Sequence, residues 1–211
     1  MSNKESTSLL SLRSRKQISV IEDKINKIGM GTYQYMSILI VSIAFFAESA
    51  QITSLSLAIV VLKNDWSLSS TDIGLLGAMS ITGISIGSII STCTSDDWGR
   101  LRLIKLNFMG ALIFTIPLIF AENYWTFTVF QMLLGFSNGL SIPIITPYIL
   151  EICPIASRSK YAVISQVMFV MGQFFVVLLA LVMMPELDNS RWRELYMSVA
   201  CLLDTSDAAD E

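Results

Sequence analysis

Five apolar stretches, each of roughly 20 residues or more, follow one another along this chain, and they constrain its fold more than any other feature. A bilayer core is about 30 Å thick, and a helix rises about 1.5 Å per residue, so each stretch can cross a membrane. Membrane strands would alternate apolar and polar residues over about ten positions, whereas these blocks are continuously apolar. The fold class that follows is all-α, a polytopic transmembrane helical bundle. Only 15% of the residues are charged, against about 25% in a soluble domain.

Spans are expected at about 33–62, 72–94, 101–121, 124–150 and 159–184, with a sixth beginning at Trp192. Together they make a half-bundle over 33–200. Residues 1–32 form a basic, Ser-rich arm, too poor in apolar side chains to offset the entropy of ordering. Within it, 18–28 has the pattern of a short surface helix. Residues 201–211 end the sixth stretch in an acidic tail that resembles a translated sequencing adapter; a genuine acidic terminus is the alternative. On the adapter reading the chain is the front part of a longer protein.

Lys and Arg are unevenly placed. Eleven of the fourteen fall in the arm and in the loops after the second and fourth spans, leaving Lys63, Arg191 and Arg193 on the other side. That asymmetry puts the N-terminus in the cytoplasm, in a plasma or vesicle membrane. A net charge of -3 argues against a nucleic-acid partner, and the absence of His argues against a histidine metal site. Cys93, Cys153 and Cys201 have no zinc or secreted-disulfide spacing. With no catalytic triad and no phosphate-binding glycine loop, the sequence points to neither an enzyme nor a cofactor.

Two constellations carry chemistry. Asp96-Asp97-Trp98-Gly99-Arg100 lies between the second and third spans, where Gly99 permits a tight reversal and Arg100 offers its planar fork to a carboxylate. Leu133-Leu134-Gly135-Phe136-Ser137-Asn138-Gly139, in the fourth span, is followed by Tyr148, Glu151 and Arg158. Gly135 and Gly139 let another helix approach closely, and Pro143 and Pro147 permit a bend. Asp96, Gly99, Arg100, Glu151 and Arg158 form a candidate charged gate at the cytoplasmic face. In the second span Gly83, Gly87 and Ser91 recur every four residues, a smooth stripe suited to a helix of the absent half or to static packing.

Glu48 is a charge near the middle of the first span, with Gln51 one turn on. A charge at the bilayer centre costs on the order of 3 kcal/mol, so Glu48 is expected to face the bundle interior or a wet cavity. It either hydrogen-bonds a neighbouring helix or serves a cationic solute or a coupling proton. Asn138 lies near mid-span in the fourth helix.

These residues resemble a family. Leu133 to Arg158 matches the signature of sugar-porter-type transporters of the major facilitator superfamily, and Asp96-x-x-Gly99-Arg100 sits where that superfamily keeps its loop motif. Ala47-Glu48-Ser49-Ala50-Gln51, followed by Asp65-Trp66, is similar to the synaptic-vesicle-protein-related, organic-ion branch. Asp97 stands where a basic residue is usual, Gln131 where Arg is usual, and Gln51 where that branch has a second acid. The resemblance runs from Tyr33 to about Tyr196. It implies the N-terminal half of a major facilitator fold, about five and a half helices, built from two inverted three-helix repeats in which the first and fourth helices are equivalent. It also implies alternating access for a sugar or organic ion, with Glu48, Gln51, Asn138 and Gln166 as substrate or proton residues; Gln166 has the spacing of a substrate-contacting glutamine. The implied partners are a small-molecule solute, the lipid bilayer and the missing C-terminal half. A non-transporting receptor or scaffold derived from a transporter half is the rival reading.

Overall fold

The computed structural model describes Asn26, residues 29–183 and residues 192–207, with side chains through Val199. The expected surface helix at 18–28, apart from Asn26, and residues 208–211 lie outside the described residues. Among the described residues six helices follow in order: α1 Thr32–Asp65, α2 Ser70–Trp98, α3 Arg100–Ile119, α4 Tyr124–Ile152, α5 Arg158–Met183 and α6 Trp192–Asp207. The first five are long and apolar enough to cross a membrane.

Local chemistry accounts for the breaks between them. Ser67 adopts a positive φ of 50° just after α1. Ser69 then caps α2 reciprocally: its hydroxyl accepts the Asp72 N–H at 3.2 Å, and the Asp72 carboxylate accepts the Ser69 N–H at 3.0 Å. This capping box satisfies donors that a helix start leaves orphaned. Asp96, Asp97 and Trp98 do not form a loop, as the sequence suggested; they belong to α2, and Gly99 alone connects α2 to α3. Its φ of 85° with ψ of 140° reverses the chain in one residue, a conformation essentially restricted to glycine.

The burial of the helices divides them into inner and outer members. The most apolar windows of α1 and α4 are 67% and 61% buried, while those of α2 and α5 are 22% and 17% buried. The most extensive interfaces join α2 to α4 and α1 to α5, followed by α3 with α4 and α1 with α6. Exchanging α1 with α4, α2 with α5 and α3 with α6 maps this pattern onto itself, as two repeats of three helices would require.

Glycines set the two main interfaces. The stripe of Gly83, Gly87 and Ser91 faces α4 of the same bundle, not outward to a further half. A Cβ on Gly83 would strike the Met132 carbonyl oxygen, and one on Gly87 the Phe136 carbonyl oxygen. From the other side, a Cβ on Gly135 would come within 2.6 Å of the Ser80 carbonyl oxygen, and one on Gly139 would strike that of Ile84. The Ser91 hydroxyl donates to the Leu140 carbonyl across the same seam. On α5, Gly172 lies against the Phe46 carbonyl and Ser49 of α1 in the same manner. Lipid competes for apolar surface as well as another helix does, so close backbone approach of this kind is what holds membrane helices together.

One end of the bundle is closed by rings. Trp66, Phe127, Trp192 and Tyr196 make a chain of edge-to-face contacts with centroids 5.5 to 6.3 Å apart. Arg193 donates to the Ile119 and Ala121 carbonyls, each at 3.0 Å, and so satisfies acceptors at the end of α3.

The glycine seam generates a direct test. Gly87→Ala should lower the thermal midpoint of the purified protein, because the obstructing atom is backbone and overpacking costs about 1–3 kcal/mol. Gly77→Ala, with nothing within 4 Å of the added carbon, should leave the midpoint unchanged or raised. Equal midpoints for the two variants would contradict the seam.

Candidate functional site

Glu48 is buried, and its partners come from two other helices. Asn107 Nδ2 on α3 donates to Glu48 Oε1 at 2.6 Å and lies 2.9 Å from Ser141 Oγ. The Ser141 hydroxyl on α4 donates to the same carboxylate oxygen or, alternatively, to the Asn138 carbonyl at 3.1 Å. Glu48, Asn107 and Ser141 are each no more than 1% exposed. Of the two interior environments considered for Glu48, the structure shows the packed one: the carboxylate ties α1 to α3 and α4. Glu48 Oε2 and Asn107 Oδ1 have no hydrogen-bond partner among the described residues.

A cavity of about 260 Å³ lies between α1, α2 and α4. Its polar lining is Gln51, Ser56, Ser80, Gln131 and Asn138; most of the rest is aliphatic, including Ile52, Leu55, Ile59, Ile84 and Leu134. Gln51 and Asn138 therefore meet at one cavity, while Glu48 is not part of its wall. Gln51 Nε2 donates to Thr115 Oγ1 at 3.3 Å, which holds the amide toward α3. Gln51 Oε1, Asn138 Oδ1 and Ser80 Oγ are buried and unpartnered among the described residues. A buried polar group left unsatisfied costs about 1–3 kcal/mol, so keeping three such residues on one cavity wall carries a stability cost. Gln166 is exposed on α5 and does not line this cavity.

Sequence reasoning missed Asn107, Thr115, Ser141 and Ser80 as polar members of the interior. Asn107 did carry a signal, as an amide between Leu106 and Phe108 in an apolar stretch. Ser and Thr did not, because either can satisfy itself by bonding back one turn along its own helix. Thr115 does so with Ala111.

At the α2–α3 turn, Arg100 Nη2 pairs with Glu151 Oε1 at 2.6 Å. These groups share an open concavity with Tyr33, Asp96, Gly99 and Tyr148. Arg158 Nε donates to the Cys153 carbonyl at 3.1 Å, closing the turn after α4. Burial pushes the Cys153 thiol up, against the lowering influence of Arg158. Of the five candidate gate residues, the structure therefore gathers Asp96, Gly99, Arg100 and Glu151 around one surface hollow and sets Arg158 into the α4–α5 turn.

A bundle of two corresponding helix triplets, five of its helices able to cross a membrane, with buried polar side chains and a charged pair at one end, has the architecture of a multi-pass membrane protein. Residues 39–203 match the model of the Major Facilitator Superfamily, and the chain belongs to that family. The chain is 30% identical over 184 residues to the synaptic vesicle 2-related protein of Rattus norvegicus, covering 87% of this chain and 33% of that protein. It is 26% identical over 136 residues to a gentisate transporter of Corynebacterium glutamicum, covering 64% of this chain and 31% of the relative. The chain thus spans about a third of the length of these curated relatives. The fold is similar to that of the E. coli xylose transporter in its inward-open conformation, with a TM-score of 0.72 at 17% identity, over 82% of this chain and 47% of that one.

The buried cluster makes a stability prediction. Asn107→Leu removes the amide from a carboxylate that stays buried, and should destabilise the purified protein by about 1–3 kcal/mol. Glu48→Gln retains a side chain of the same shape that still accepts from Asn107 and Ser141, and should fold and insert normally. Chemical unfolding in detergent reads both, and an unperturbed Asn107→Leu would count against the cluster.

Proposed function

We propose that this bundle is the N-terminal half of a secondary transporter that moves a small polar or ionic solute, a sugar or an organic ion, by alternating access. The observation that carries the reading is the cavity between α1, α2 and α4, whose wall includes Gln51, Ser80, Gln131 and Asn138, three of them with a buried oxygen unpartnered among the described residues. A receptor or scaffold built from a transporter half would gain nothing from such groups, and packing would favour their replacement by aliphatic side chains. Relatives named for gentisate, for 4-hydroxybenzoate and for xylose support a solute of this kind. Energy would come from a solute or ion gradient. In this scheme Arg100 and Glu151 close the cytoplasmic side and part when the cavity opens there. In the same scheme Glu48, hydrogen-bonded to Asn107 and Ser141 outside the cavity lining, serves a coupling proton.

Uptake by the complete transporter in proteoliposomes, challenged with a panel of sugars and aromatic acids, tests the reading. Asn138→Leu and Gln51→Leu should each lower uptake of the accepted solute at least tenfold while the protein remains folded. Undiminished uptake in both would remove the cavity from the path, and a parent protein that moves none of the panel would favour the scaffold.

Orientation is tested separately. With the N-terminus proposed to be cytoplasmic, a cysteine introduced at Asn123 in a cysteine-free background should be labelled by an impermeant maleimide added to intact cells. One introduced at Ala156, which is also exposed, should be labelled only after permeabilisation. The opposite pattern would invert the topology.

A further inference from the structure

Outside the central cavity, a second concavity of about 460 Å³ lies on the outer face of α3, next to the α2–α3 turn. It is lined by Trp98, Arg102, Lys105, Leu106 and Met109. The α3 residues fall at helical spacing on one face, and all four are exposed, while Leu103, Ile104, Asn107 and Phe108 turn inward. Two cations therefore lead the exposed stripe, and two apolar side chains continue it along the helix. Since a helix rises about 1.5 Å per residue, Lys105 stands within about 9 Å of Gly99 and Met109 about 15 Å from it. The first distance is the depth of a headgroup and glycerol layer, and the second already reaches the acyl chains. Trp98 walls the hollow from the end of α2 with 56% of its surface exposed, at the level where Trp side chains gather in membrane proteins.

We propose that this hollow is a binding site for an anionic phospholipid, with the headgroup phosphate held between Arg102 and Lys105 and the acyl chain laid along Leu106 and Met109. A soluble anion would meet the two cations but would leave the apolar half of the stripe without a partner. A zwitterionic lipid would fit the apolar half but carries no net charge to match Arg102 and Lys105. The lipid satisfies both ends of one continuous surface, and it is present wherever a membrane protein resides. The site adjoins the Arg100–Glu151 hollow, with which it shares Trp98 and Arg102, and extends beyond it along α3 through Lys105, Leu106 and Met109.

Native mass spectrometry of the full chain, released from detergent in the presence of phosphatidylglycerol or phosphatidylcholine, tests the site. Phosphatidylglycerol should remain bound in preference to phosphatidylcholine. Each cation near a membrane surface strengthens anionic-lipid binding by about fivefold, so the double variant R102Q/K105Q should weaken phosphatidylglycerol binding by about 30-fold. R102K/K105R keeps both charges and should bind as the parent does, and K160Q, a cation elsewhere on the surface, should change nothing. Excess glycerol 3-phosphate should fail to displace the lipid. Equal retention of the two lipids, undiminished binding by R102Q/K105Q, or an equal loss in K160Q would overturn the proposal. Displacement by glycerol 3-phosphate would overturn it in favour of a soluble phosphate.

Discussion

Backbone contact between α2 and α4 is the constraint on which the rest of the bundle depends. Four glycines, two from each helix, let carbonyl groups of one helix occupy the space where side chains of the other would stand. In a bilayer there is no gain from hiding apolar surface, so helices associate where they can approach most closely. Once Gly83 and Gly87 lie against Met132 and Phe136, the rotation of both helices is set. Ser80 then comes beside Gly135, with Gln131 and Asn138 on the same cavity, while Ile86, Ile89 and Ile90 of α2 stay exposed. The cavity is thus a by-product of the seam. Gly172 performs the same task between α5 and α1, which is why the two halves of the interface pattern correspond.

The polar interior has two layers with different chemistry. Along the cavity stand neutral amides and a hydroxyl, with the oxygens of Gln51, Asn138 and Ser80 buried and unpartnered among the described residues. Behind them the Glu48 carboxylate is enclosed by Asn107 and Ser141. Neutral groups line the cavity, while Glu48 Oε1 accepts from protein donors and Oε2 is left without a partner among the described residues. Asn138 bridges the layers, because its side chain lines the cavity and its carbonyl is an alternative acceptor for Ser141. A change at one layer is therefore felt at the other through a single hydroxyl.

The sequence resolved those features whose physical cause is local or periodic. Continuous apolar stretches define helices whatever they pack against. The first span was expected to end at about 62 and α1 runs to Asp65, after which Trp66 packs against Phe127 and Trp192. Gly99 advertised a reversal, although the helices run up to it from both sides and leave no loop. Arg100 and Glu151 were legible as members of one charged group with Asp96 and Arg158, but which of them pair was shown only by the structure. The small-residue stripe of α2 was legible as a contact surface but not as a contact with α4, since a stripe states only that something can come close. Asn107 went unread for a related reason: an amide in an apolar helix shows that a partner exists without showing which one.

The sequence by itself determined how many times the chain is able to cross the bilayer, where each crossing begins and ends to within a few residues, and which positions are polar in a medium that penalises polarity. Only the tertiary structure decided where those positions point. The free energy of inserting a helix depends on its own residues, whereas its rotation about its axis depends on the surfaces of two or three neighbours at once. So Glu48 turned into the packed interior, Gln51 and Asn138 met at the cavity between α1, α2 and α4, and Gln166 stands exposed on α5, away from that cavity.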